Sequence, residues 1–212
     1  MRIALCDVGL GNIRSVERAL LAAGGRATVR VDVTRDPDLI HAADKIVMPG
    51  QGAFRDCARA LAGGAGDAIR ERLRSGRHYL GICLGLQVLF ATSDEAPGVT
   101  GLGVLAGRVS KLRGGHVDPT TGTALKIPHV GWNTAEPRTE NPGLLGGGPA
   151  RHFYFVHSFV VAPDDPATIA ATTDYGEPFV SAVAFENVFA CQFHPEKSAR
   201  AGLALLERFV AA

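Results

Sequence analysis

Gly81-Ile82-Cys83-Leu84-Gly85 sets a cysteine between two glycines, after an apolar run and before a helical pattern that contains Leu86, Leu89 and Phe90. A nucleophile on such a strand-to-helix turn is held above the sheet, and the glycines let strand and helix approach closely. Free N–H groups at the start of the helix favour the thiolate of a residue whose free pKa is about 8.5. A cysteine in an apolar run also packs as a small hydrophobe, and the motif alone leaves both readings open. A thiolate that attacks an amide needs a proton carrier. Of seven histidines, His194 stands out because it closes the apolar run Val188 to Phe193 and precedes Pro195 and Glu196. His194 and Glu196, at i and i+2, project to one side if extended geometry persists. A carboxylate on one imidazole nitrogen sets the tautomer and leaves the other nitrogen for the nucleophile. Pro195 has no N–H, so it ends the ladder and stiffens the spacing. A solvated turn at a strand end is the competing reading of this tripeptide.

Met48-Pro49-Gly50-Gln51-Gly52-Ala53-Phe54 is a glycine-rich turn between a buried-type strand and a helix. Strand C-terminal edges are where α/β sheets bind ligands. Backbone N–H groups of Gly50, Gln51 and Gly52 can therefore face an oxyanion there, beside the amide of Leu84; loss of one such donor costs about 3 kcal/mol. The turn is not a Walker loop, because no Lys-Ser or Lys-Thr follows it. Gly9-Leu10-Gly11-Asn12 fails as a dinucleotide fingerprint, because Arg14 occupies the third glycine position.

Residues so far apart in the chain meet only on a shared sheet edge, and the hydrophobic pattern supplies one. Strands are expected at Arg2 to Cys6, Ala27 to Val33, Lys45 to Met48 and His78 to Ile82. Helices are expected from Ile13, from Asp38 to Ala43, from Phe54 and from Asp67. This alternation predicts an α/β fold whose central sheet is mostly parallel and flanked by helices. From Gly101 the character changes to hairpins, with strands at Leu105 to Leu112, Leu125 to Ile127, His152 to Val161, Thr168 to Thr172, Phe179 to Phe185 and Val188 to Phe193. A C-terminal antiparallel portion follows, then a helix whose Leu203, Leu206 and Val210 form a stripe and whose N-cap is Ser198. The glycine cluster Gly143 to Gly148 reads as a surface loop, so residues 1–212 are expected to form one domain.

The 212 residues are 46% apolar and 20% charged, with 22 Lys+Arg against 21 Asp+Glu. A chain of this size buries about 70% of its unfolded surface, so disorder is excluded. The net charge of +1 argues against a nucleic-acid surface. The apolar run before Asp7 is too short for a signal peptide or membrane span, which predicts a soluble, unprocessed chain. Cys6, Cys57, Cys83 and Cys191 show no metal-like spacing, so no metal is expected and a reducing cytoplasm is the better reading; three disulfide pairings remain formally open.

Gly81 to Gln87, taken with Gln192-Phe193-His194-Pro195-Glu196-Lys197-Ser198, resembles the class I (triad) glutamine amidotransferase family, whose fold is flavodoxin-like. Asp7 to Val16, Pro128-His129-Val130-Gly131-Trp132-Asn133 and Tyr154-Phe155-Val156-His157-Ser158-Phe159 resemble, within it, the glutaminase subunits of imidazole glycerol phosphate synthases. Val8, Leu10, Gln51 and Phe159 depart from that pattern, and Arg113 to Ala124 forms a longer polar loop. The resemblance implies that Cys83 attacks the side-chain amide of glutamine, His194 moves protons and Glu196 orients His194. It implies that Gln87, Glu95, His157, Ser158 and Phe159 hold the substrate. It further implies that ammonia passes to a cyclase subunit in a heterodimer, with Asn12, Trp132, Tyr154 and Lys197 facing that partner, and that no cofactor is used. Rival readings are a glutaminase of anthranilate or pyridoxal phosphate synthesis, and a non-catalytic redox or chaperone-like protein that keeps a reactive cysteine.

Overall fold

The computed structural model describes residues 1–9, 11–24, 29–118 and 120–212. Five strands run parallel in the order β2 (Arg30–Thr34), β1 (Arg2–Cys6), β3 (Lys45–Gly50), β4 (His78–Cys83) and β12 (Val188–Cys191). The sheet continues antiparallel through β11 (Pro178–Phe185), β10 (Ile169–Asp174), β7 (His129–Pro137) and β8 (Arg151–His157). A side branch of β5 (Phe90–Ser93), β6 (Leu105–Lys111) and β9 (Phe159–Pro163) joins β11 at Val161 and Val180.

The alternation of side chains along the parallel strands divides the core into two layers. Ala4, Ile46, Met48 and Tyr79 face one way, against Ile40 of α2 (Pro37–His41), Phe54, Cys57 and Leu61 of α3 (Phe54–Leu61), and Ile69 and Leu73 of α4 (Ala65–Arg74). Ile3, Leu5, Val47, Leu80 and Ile82 face the other way, against Val16 and Leu20 of α1 (Ile13–Ala23) and Leu205, Leu206 and Phe209 of α6 (Ala199–Ala211). Each fully buried Leu, Ile or Phe contributes about 2 kcal/mol through removal of its apolar surface from water. Lys45 is buried at the start of β3, where its Nζ donates to the carbonyls of Phe209 (2.6 Å) and Val210 (3.1 Å). It thereby satisfies orphan acceptors at the end of α6.

Several expected elements differ in extent. β2 begins at Arg30; Ala27 and Thr28, where its start was expected, and Leu10 lie outside the described residues. The helix after Cys83 is a single turn, α5 (Leu84–Gln87), and Phe90 opens a strand. Its pattern of Leu86, Leu89 and Phe90 suits either element, and the burial of Phe90 in a strand paired with β6 overrides the helix. The run from His152 to Val161 breaks at Ser158 into β8 and β9, which belong to different ladders. Leu125 to Ile127 is not a strand, whereas the unexpected β7 pairs with β8 over seven residues. Ser198 precedes α6 without capping it, since its hydroxyl donates to the His194 carbonyl and accepts from the Tyr154 N–H.

Candidate active site

Cys83 ends β4 and stands at the N-cap of α5 with φ 55° and ψ −102°, a left-handed backbone that a side-chain-bearing residue adopts only at a cost of about 1–2 kcal/mol. Its two glycines are required by contact. A Cβ on Gly85 would lie 1.8 Å from the Met48 carbonyl oxygen of β3, and one on Gly81 would lie 2.6 Å from the Gly85 oxygen. The helical turn therefore sits flush on the strands, and the sulfur is raised into a cleft of about 390 Å³.

β12 lies parallel to β4 with Cys191 beside Ile82, so the residues that follow each strand emerge on the same edge. His194 comes there buried, and its Nδ1 lies 2.8 Å from Glu196 Oε1. An ionised carboxylate only accepts, so Nδ1 carries the hydrogen and Nε2 is the nitrogen left for chemistry. Nε2 of His194 and Oε2 of Glu196 are buried without a hydrogen-bond partner among the described residues. Extended geometry does not persist through the tripeptide: Pro195–Lys197 form a 3-10 turn, and the i, i+2 pair closes across its first bend. Burial disfavours the imidazolium, but Cys83 and Glu196 together outweigh it and raise the His194 pKa to about 9.

The cleft is lined by Gln51, Gly52, Leu84, Gln87, Glu95, His157, Ser158 and Phe159, with Tyr154 and Lys197 also on its wall. Gly50 lies behind it, level with Cys83 across the β3/β4 ladder. Glu95 Oε2 accepts from the Phe54 N–H at 2.8 Å, tying the loop after β5 to the start of α3. Asn12 and Trp132 do not line the cleft. Asn12 caps α1 by accepting from the Ser15 N–H, and Trp132, 54% exposed, meets the Tyr154 ring edge-on at 6.3 Å. Lys197 Nζ lies 5.7 Å from the centre of that tyrosine ring.

His129, Asn133 and Gln192, which had no role in the sequence reading, complete the site through the expected substrate residues. The Phe159 carbonyl accepts from His157 Nδ1 at 3.0 Å and from Gln87 Nε2 at 3.2 Å. Because the carbonyl cannot donate, His157 Nδ1 holds the proton; Nε2 of the neutral ring then accepts from His129 Nδ1 at 3.0 Å. His129 Nε2 accepts in turn from Asn133 Nδ2 at 3.4 Å. Both rings are neutral at pH 7, burial having lowered His129 to about 4 and, with the charge of His129, His157 to about 3. Gln192, fully buried, reaches both Gln87 and Cys83. Its signal in the sequence is a single amide in the apolar run from Val188 to Phe193.

Fold and site together define a class. The family model for class-I glutamine amidotransferases matches residues 4–212, and the chain belongs to that family. Within it, the chain is 46% identical over 209 residues to imidazole glycerol phosphate synthase subunit HisH of Methylococcus capsulatus, covering 98% of this chain and 95% of that protein. It is 45% identical to the subunit of the same name from Syntrophotalea carbinolica, with 98% of each covered. Among solved structures, a glutamine amidotransferase superposes with a TM-score of 0.70 at 19% identity over 99% of both chains. PurLQS from Thermotoga maritima gives 0.71 at 17% over 99% of this chain and 97% of that one. These last two likenesses carry the fold alone.

Proposed function

We propose that this chain is the glutaminase subunit of an imidazole glycerol phosphate synthase, hydrolysing glutamine to glutamate and delivering the ammonia to a cyclase subunit in histidine biosynthesis. The observation that carries the chemistry is the closure of Cys83, His194 and Glu196 onto one sheet edge beside a single cleft. The near-complete match to two HisH subunits supports the pathway over a glutaminase of anthranilate or pyridoxal phosphate synthesis. A non-catalytic redox protein would have no need of Glu196 held against His194.

In this reading the Cys83 thiolate adds to the side-chain carbonyl carbon of glutamine, and the carbonyl electrons move to oxygen. Backbone N–H groups of the Gly50–Gly52 turn and Leu84 receive that oxyanion. His194 Nε2–H protonates the amine as the C–N bond breaks, and ammonia leaves behind a γ-glutamyl thioester. His194, now neutral, takes a proton from water; the hydroxide adds to the thioester and expels the Cys83 thiolate, releasing glutamate. Gln87, Glu95 and the segment His157 to Phe159 hold the substrate. Asn12, Trp132, Tyr154 and Lys197 face the cyclase.

Four buried free thiols support placement in a reducing cytoplasm. Among the described residues no helix is long and apolar enough to cross a membrane. The test is glutamine hydrolysis in the presence of a cyclase subunit. Cys83→Ala is expected to abolish it, whereas Cys6→Ala and Cys57→Ala retain it within a few-fold; activity in the Cys83 variant would remove the nucleophile from the scheme.

A further inference from the structure

Besides His194, whose charged form it favours, the sulfur of Cys83 meets two groups of opposite chemistry. The Val156 carbonyl, 3.8 Å away, accepts from the thiol and favours the neutral form. Gln192 Nε2, 3.4 Å away, donates and favours the thiolate. The direction of the Gln192 amide is fixed from outside. Gln87 must turn its nitrogen to the Phe159 carbonyl, which only accepts, and the second hydrogen of that nitrogen meets Gln192 at 3.1 Å. Gln192 must therefore present Oε1 to Gln87, which leaves its Nε2 for the sulfur. One backbone carbonyl of β9 thus decides, through two buried glutamines, that the sulfur is met by a donor.

We propose that Gln192 is a catalytic residue of this site, holding the Cys83 thiolate through its Nε2–H, and that Gln87 is the positioning residue that keeps it from turning over. The proposal rests on the glutaminase reading in taking Cys83 as the nucleophile. Gln192 transfers no proton. Its hydrogen bond strengthens whenever charge sits on sulfur, so it favours the resting thiolate and the thiolate expelled when water opens the thioester. During attack, as charge moves from sulfur to the substrate oxygen, the bond weakens and the oxyanion donors take over. The donor therefore matters most in the second half of the reaction.

The test is the pH dependence of iodoacetamide alkylation at Cys83, followed by mass spectrometry of the Cys83 peptide in the full chain. Gln192→Met has similar length and no donor. Gln192→Glu keeps an acceptor for Gln87 and turns an acceptor toward the sulfur. The apparent pKa of Cys83 is expected to rise by about one unit in Gln192→Met, slowing alkylation about tenfold at pH values well below the wild-type pKa, and to rise further in Gln192→Glu. In glutamine hydrolysis kcat is expected to fall with little change in KM. A merely structural glutamine would not order the two variants in this way. Wild-type profiles in either folded variant would overturn the proposal, as would a smaller shift in Gln192→Glu than in Gln192→Met. If Gln192→Met does not fold, Gln192→Glu decides alone; if neither folds, Gln192 belongs to the core and the proposal fails. A wild-type Cys83 that titrates like an ordinary thiol near 8.5 would instead count against the nucleophile reading itself.

Discussion

His194 stands between opposed influences, since its burial favours the neutral ring while Cys83 and Glu196 favour the charged one and prevail. With a folded pKa of about 9 above the free value of 6.5, its contribution to stability is fully present below about pH 6.5 and is lost as pH rises through 9. Under the proposed mechanism catalysis shares that alkaline limb, because a ring that has lost its proton has none for departing ammonia. The rate of glutamine hydrolysis is therefore expected to fall above about pH 9. Glu196→Gln keeps an acceptor for Nδ1 but removes the charge, so its limb is expected at lower pH. It is also expected to reduce turnover less than His194→Ala, because an orienting group is replaced more readily than a proton carrier. Profiles of kcat/KM against pH check both statements; an unmoved limb, or a greater loss at Glu196, would contradict the assigned roles.

At the scale of elements, the site depends on how tightly α5 rests on the sheet. The Met48 carbonyl occupies the space a Gly85 side chain would need, and the neighbour is backbone that has no flexible end to move aside. Gly85→Ala is expected to lift the turn from β3 and destabilise the chain by about 3 kcal/mol or more, the upper range for overpacking. Urea denaturation measures this directly; a loss below about 1 kcal/mol would show that the elbow yields. The helix dipole, in contrast, is a smaller aid to the thiolate than the sequence pattern implies, because α5 is only four residues long. Hydrogen bonding to sulfur takes its place.

For the molecule as a whole, the hairpin from β11 to β12 is the joint on which the site turns. Asn187 at its bend donates to the Leu73 and Arg77 carbonyls, and the Tyr79 N–H bonds the Asn187 carbonyl, locking β12 alongside β4. The antiparallel β7–β8 pair then carries Trp132 to the surface near Tyr154, away from either core layer. A lone tryptophan is usually well buried, so an exposed one points to a contact made with another chain. Trp132→Ala is expected to weaken association with the cyclase subunit by about 2 kcal/mol. The stability of the isolated chain should change by less than about 0.5 kcal/mol, as for an ordinary surface substitution. Calorimetric titration with a parallel thermal melt separates the two, and unchanged affinity would remove Trp132 from the interface.

The sequence by itself determined the four N-terminal parallel strands β1 to β4, because each is a short apolar run alternating with helical periodicity, and local pattern suffices to read it. It also singled out Cys83, His194 and Glu196 as candidates through glycine spacing, a proline and an i, i+2 carboxylate, although the family resemblance, and not those local features, supplied their expected roles. The length of α5 and the division of His152 to Val161 at Ser158 were not legible, since both depend on which ladder the strands join. Nor was the use of Ser198 legible, because its hydroxyl suits a cap as well as it suits the His194 carbonyl. Only the tertiary structure decided that β12 returns beside β4 and that Gln192, the single amide in its apolar run, meets the sulfur. Pairing between distant segments is set by the packing of the whole sheet, and no window of sequence contains both partners.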